Sequence, residues 1–251
     1  MSEPALARNV RGKGRHYEHP VTGDLVPSVT NVIGMLDKPA LPRWAAKVVA
    51  EQAWTMRSSL SGLGRDEAVE ILKQSPWRSS SRSAARGTSI HFYLECAMRG
   101  DDLPELEGQA RDYQAAADSV LRWFDAHAIE LVASEQTVFS HAYAGTYDAH
   151  LRWHYTDDAY EDWLVDYKTG TSGPYDEVSL QLSALAAART RADGKAAWSN
   201  YDRLVAISVQ PGGKFVMKQV ADPEVSFEAF EALLAAWHWK NGDKPLADVE
   251  V

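Results

Sequence analysis

The chain has 251 residues, 45% hydrophobic and 24% charged, enough apolar content to bury a full core. Its 35 acids against 26 lysines and arginines leave a net charge of −9, which argues against indiscriminate coating of nucleic acid but permits a local basic groove. The single cysteine, Cys96, excludes an intrachain disulfide and any four-cysteine cluster, and no run is long and apolar enough to span a bilayer.

In chain order, residues 1–30 carry turn signals at HPVTGD and VPS and read as an irregular or hairpin-like start. Ser28 or Thr30 is placed to cap a short helix running to Leu36, which Pro39 and Pro42 then break. A helical pattern follows from Pro42 to about Arg57, with Trp44, Val48 and Trp54 as candidate buried positions, and GRDEAVEILKQ is another short helix. SSSRSAARGTSIHFYLECAMRG reads as a flexible Ser-rich lead-in followed by a helix ending at Gly100. Leu106 to His127 spaces Tyr113, Val120, Leu121 and Phe124 along one helical face.

From Ile129 onward β-branched and aromatic residues dominate, as strands require. IELVASEQTVFS supplies one or two strand segments, and EDWLVDYKTG a third strand. Between them, GTYDAHLRWHY alternates, with Ala149, Leu151, Trp153 and Tyr155 on one side and Asp148, His150, Arg152 and His154 on the other. PYDEVSLQLSALAAARTRAD is an Ala-rich helix, YDRLVAISVQPGGKFVMKQV a strand pair turning at Pro211-Gly212-Gly213, and Ser226 to Lys240 a last helix. The expected organisation is one α/β domain over 1–251, mainly helical in 1–127 and mixed-sheet in 128–251. The opening MSEPALARNVRGKGR lacks the apolar core of a signal peptide, so a cytoplasmic location is expected.

The chemistry centres on LVDYKTG, where Asp166 and Lys168 share a strand face. An acid-x-lysine triplet is common by chance, and Asp193-Gly194-Lys195 is another. The setting sets the first apart. Asp166 ends an apolar run, and antiparallel pairing with GTYDAHL would bring Asp148 within reach, Gly145 permitting close backbone approach. Two carboxylates from adjacent strands suit a hard cation such as Mg²⁺ or Mn²⁺, with Glu135 a third acid and Lys168 placed to orient or deprotonate an attacking water. Arg78, Arg82 and Arg86 stand in a stretch, Ile71 to Leu94, without a single acid, and are candidate phosphate contacts. Arg8, Arg11, Lys13 and Arg15 form a second basic cluster. His141, His150 and His154 match no structural zinc spacing, and the chain has no G-x-S-x-G elbow for a nucleophilic serine.

Taken together, SEQ (Glu135), GTYD (Asp148), DYK (Asp166, Lys168) and Gln181 on the following helix resemble the PD-(D/E)XK nuclease superfamily. Within it they are most similar to the RecB-like exonuclease branch, which includes CRISPR-associated and phage-encoded exonucleases. RGTSIHFYLE looks like the helix that carries that branch's histidine, here His91, and PSVTNVIGMLDKPALPRWAA looks like the opening of its phage members. The resemblance implies a restriction-endonuclease-like αβββαβ core behind the helical N-terminal half. It implies His91, Asp148, Asp166 and the main chain of Tyr167 as ligands of Mg²⁺ or Mn²⁺, with Lys168 as the catalytic lysine. Glu135 and Gln181 join the same catalytic set, and Gln181 also faces DNA.

The implied activity is a metal-dependent DNA exonuclease acting in recombination, repair or phage DNA processing. Its partner would be DNA with a free end, not a membrane, and the resemblance allows a homo-oligomer or a recombination-protein partner. Two features depart from the branch. Leu185 stands where a tyrosine often follows the helix glutamine, and the cysteines of an iron–sulfur cluster are missing, so no such cluster is expected. The same residues leave open a non-catalytic DNA-binding or assembly subunit, or a structure- or site-specific endonuclease, on this fold.

Overall fold

The computed structural model describes residues 5, 7–156, 158–188 and 200–242. The chain divides into two compact units, Met1–Leu36 with Ile90–Val251, and Asp37–Ser89. The division therefore falls inside the stretch read as one helical N-terminal half.

The first unit begins with an antiparallel meander, β1 (Ala7–Val10), β2 (Gly14–Glu18) and β3 (Leu25–Pro27), where the sequence suggested an irregular or hairpin-like start. Ser28 then caps α1 (Val29–Ile33), its hydroxyl accepting from the Asn31 amide at 3.1 Å.

The main sheet has the order β4 (Ile129–Phe139), β5 (Ala144–Thr156), β6 (Ala159–Thr169), β7 (Arg203–Val209) and β8 (Phe215–Gln219). The first three strands run antiparallel. Helix α7 (Glu177–Ala188) precedes β7, which lies parallel to β6, and β8 returns antiparallel. The protein is thus mixed α/β.

Strand alternation sends side chains to two cores. Trp163, Val165 and Tyr167 of β6 join Val205 and Ile207 of β7 in a cluster with Ile90 and Leu94 of α5 (Ser75–Arg99) and Val120 and Phe124 of α6 (Arg111–Ala126). Leu164 and Ala206 join the other cluster, with Leu182 and Leu185 of α7 and Phe230 of α8 (Pro223–Asn241). Asp166 follows Leu164 by two residues and so points toward α7. That parity decides what the carboxylate meets.

The second unit holds α2 (Ala40–Thr55), α3 (Arg57–Leu60), α4 (Arg65–Lys73) and the start of α5. Two expectations are corrected here. Trp54, expected in a core, is 72% exposed, and neither α2 nor α4 carries a fully buried residue. The Ser-rich lead-in is helix, not flexible chain. Serine is only mildly unfavourable in a helix, and the run continues without a break into the helix that carries His91. Among the described residues no helix is long and apolar enough to cross a membrane.

One glycine fixes how closely β5 meets the helices. A Cβ on Gly145 would lie 2.6 Å from Leu185 Cδ2 and 3.2 Å from Val29 Cγ2, both in the packed core. Gly145→Ala should therefore cost about 1–3 kcal/mol in urea unfolding. Combined with Leu185→Ala, the loss should be smaller than the sum of the two single losses. Unchanged stability in Gly145→Ala would contradict this packing.

Candidate metal centre

The ladder between β5 and β6 runs up to Ala149↔Val165 and stops. Beyond that point β5 stays paired with β4 as far as Ala144↔Phe139, and β6 with β7 as far as Thr169↔Val209. The sheet forks, and the next two register positions at the fork are Asp148 and Asp166. Asp148 fills the gap with its side chain. Its Oδ2 accepts the Tyr167 amide at 2.6 Å, doing the work of the absent strand carbonyl.

Three ligand-type groups converge at this point. One donor atom each from His91, Glu135 and Asp148 lie within 4.8 Å of one another, the one such group among the described residues. His91 Nδ1 is 3.5 Å from Asp148 Oδ1, and its ring packs edge-on against Tyr167 at 5.7 Å. Glu135 arrives from β4, where the flanking pairs Ser134↔Ala149 and Gln136↔Tyr147 set it opposite Asp148. Its φ is +49°, a left-handed conformation that costs a residue with a side chain about 1–3 kcal/mol. Strain of this kind persists only where the surroundings hold it.

Asp166 lies next to this group and is 2% exposed. Its Oδ1 accepts Lys168 Nζ at 2.9 Å and Gln181 Nε2 at 2.6 Å, and Lys168 also donates to Gln181 Oε1 at 3.1 Å. The three side chains close a ring of hydrogen bonds. Asp166 Oδ2 is 2.7 Å from the same ammonium but has no hydrogen bond of good geometry. This oxygen is a buried acceptor with unused capacity.

The electrostatics of the pocket are those of crowded anions. Burial, then the nearby Asp148 charge, pushes the Glu135 carboxyl up to about 7. Burial and Asp148 also raise Asp166, against the pull of Lys168. For His91 burial alone would lower the pKa, but Asp148, Asp166 and Glu135 together outweigh it and the net shift is upward. The two carboxyls sit where a positive charge would relieve them, and the raised imidazole reports the same negative potential. A hard divalent cation fits this donor set: carboxylate oxygens, one imidazole, and a buried oxygen short of a partner.

The structure thus gathers His91, Glu135, Asp148, Asp166, Lys168 and Gln181 in one place, and Tyr167 contributes its amide to hold Asp148. The ion-ligand group includes Glu135 and leaves Asp166 bound to Lys168 and Gln181, whereas the resemblance assigned Asp166 to the ion. Arg78, Arg82 and Arg86 belong to the second unit, and the Asp193-Gly194-Lys195 triplet lies outside the described residues. Among the described residues, His150 and His154 join no such ligand group. They lie beside Asp162 at 3.3 Å and Glu130 at 2.9 Å.

Sequence reasoning missed the brace behind Glu135. Ser134 donates to Glu95 at 2.6 Å, and Arg99 reaches both Glu95 at 2.6 Å and Ser134 at 2.7 Å. The signal was spacing, since Glu95 and Arg99 follow His91 by four and eight residues on one helical face. Arg15, from the N-terminal basic cluster, lines a small hollow with Thr30, Thr146 and Gln181.

No protein-family model and no curated protein matches the chain. A solved structure described as "Crystal structure of SSO0001" is similar at 10% identity and a TM-score of 0.30, over 64% of this chain and 89% of that one.

Because Glu135, Asp166 and His91 are all raised, this cluster holds more protons in the metal-free native protein than in the unfolded chain, and the stability it contributes falls as pH rises. For Glu135 the loss runs from its ordinary 4.5 up to about 7. In EDTA the melting temperature should drop between about pH 5 and about pH 8, and Glu135→Gln should raise the alkaline end. Mg²⁺ or Mn²⁺ should restore wild-type stability there. A Glu135→Gln protein that melts like wild type across the range would contradict the crowded-anion account.

Proposed function

We propose that this chain is a metal-dependent deoxyribonuclease that hydrolyses phosphodiester bonds, an exonuclease on a restriction-endonuclease-like core. The single observation that carries the reading is the fork. It assembles two acids, a lysine and a glutamine from three elements with a histidine and a third acid, in the chain order that the resemblance expects. The element order β4-β5-β6-α7-β7 supports the αβββαβ core. The preference for exonuclease over endonuclease, the role in recombination, repair or phage DNA processing, and the use of a free DNA end come from the resemblance.

His91, Glu135 and Asp148 would hold Mg²⁺ or Mn²⁺, with Asp166 Oδ2 and the Tyr167 carbonyl as further oxygen donors. The ion would supply Lewis-acid polarisation of the phosphate and a more acidic water. The chain's own residues do the rest. Asp166 and Gln181 hold the Lys168 ammonium in one place, and its side chain is 37% exposed, so it can reach the substrate from the wall of the pocket. There it orients the attacking water and donates to a phosphate oxygen. The water gives up a proton to solvent as its oxygen bonds to phosphorus, the bond from phosphorus to the departing sugar oxygen breaks, and that oxygen takes up a proton from solvent. Gln181 is a positioning residue that keeps Asp166 and Lys168 in register.

On end-labelled linear DNA with Mg²⁺ or Mn²⁺, wild type should release label from ends, and EDTA should stop it. Lys168→Ala should lower the rate about 10²–10⁴-fold with DNA binding retained, and Gln181→Ala should lose less. Clean wild-type protein that binds DNA yet cleaves nothing with either metal would overturn the reading in favour of a non-catalytic subunit. Cleavage of circular substrates as fast as linear ones would replace exonuclease by endonuclease.

A further inference from the structure

The second unit differs in charge from the rest of the chain. Asp37–Ser89 holds nine lysines and arginines against five acids, within a protein whose net charge is −9. Three of those acids are paired locally: Glu51 lies 3.6 Å from Lys47, Asp66 lies 3.1 Å from Arg65, and Glu70 lies 3.0 Å from Lys73. On the part of α5 that belongs to this unit there is no acid at all.

One exposed face of that segment, together with Gln74 just before it, presents Gln74, Trp77, Arg78, Ser81 and Arg82 side by side. The spacing of three, four, seven and eight residues from Gln74 puts them on a single helical stripe. Trp77 is 71% exposed, and a tryptophan is the largest apolar surface a side chain can leave in water. Arg78 is anchored, its guanidinium donating to the Ile71 carbonyl at 2.7 Å. Arg82 has no ion pair among the described residues. A flat apolar ring flanked by a fixed and an unpaired guanidinium is the surface that a nucleobase and its phosphate complement together.

We infer that Trp77, with Arg78 and Arg82, is a stacking platform for single-stranded DNA, built on the basic helical unit. Charge complementarity selects a polyanion as the occupant, and the exposed ring selects one whose base faces are free. In a duplex those faces are covered by their neighbours. Trp54 offers no second platform, because Arg57 already covers its ring at 4.8 Å. The inference takes only the choice of DNA over other polyanions from the nuclease reading.

The test is fluorescence anisotropy of the full chain with labelled oligo(dT), a hairpin duplex and oligo(U), in EDTA so that nothing is cleaved. Trp77→Ala should weaken oligo(dT) binding at least about fivefold while leaving the duplex unchanged, and Trp77→Phe should keep most of the affinity. Arg82→Ala should flatten the slope of log affinity against log salt by about 0.7. Oligo(dT) affinity unchanged in Trp77→Ala would overturn the inference, and so would tighter binding of oligo(U) than of oligo(dT). It would also fail if Trp77→Ala converted a dimer to monomers in sedimentation without loss of DNA affinity, because the ring would then seat a second copy. Wild-type protein that cleaves no DNA but binds oligo(dT) through Trp77 would sink the nuclease reading and leave this one standing.

Discussion

The hydrogen bond from the Tyr167 amide to Asp148 Oδ2 is the constraint on which the site depends. A strand that loses its ladder partner exposes a donor that must be satisfied, or it costs roughly 1–3 kcal/mol. Here a carboxylate satisfies it, so the end of the β5–β6 ladder and the position of Asp148 are one event. The bond also holds Asp148 Oδ1 toward His91, beside the strained backbone of Glu135. A neutral side chain at 148 would leave the fork without its charged acceptor and the histidine without its partner.

The arrangement is expensive as it stands, and the balance of charges shows why. Asp148, Asp166 and Glu135 face Lys168 and His91, and Asp166 is almost wholly buried. Burying one carboxylate against one ammonium roughly breaks even at best, since the desolvation of two ions offsets their attraction. Two further acids tip the sum toward repulsion, which the protein relieves by holding protons. A fold that only needed a stable core would gain by replacing these groups with apolar ones. Keeping them makes sense if a cation completes the set, and the strained backbone of Glu135 is the same kind of cost accepted at the same place.

Much of this was legible in the sequence. Alternation in GTYDAHLRWHY and EDWLVDYKTG gave two paired strands, and that parity put Asp166 and Lys168 on one face with Gln181 above them. The rest depended on long-range geometry that composition does not carry. Nothing in Ser134-Glu135-Gln136 signals that Glu135 adopts a positive φ, and nothing in GTYD that Asp148 replaces a strand carbonyl. The helix through Ser79–Ser83 was misread because local propensity is a weak prior once a helix is extended from a well-formed neighbour. Trp54 was misread because periodicity reports an apolar face and not what covers it. In the brace behind Glu135, spacing shows Glu95 and Arg99 on the His91 face, but their link to Ser134, nearly forty residues on, is beyond any local pattern.

The most direct measurement of the central claim is Mn²⁺ binding followed by electron paramagnetic resonance on wild type, Asp148→Asn, His91→Ala and Lys168→Ala. The account predicts that wild type and Lys168→Ala bind Mn²⁺, and that Asp148→Asn and His91→Ala lose at least about tenfold in affinity. Equal Mn²⁺ affinity in all four proteins would contradict it, because the fork would then hold its acids for some purpose other than a cation.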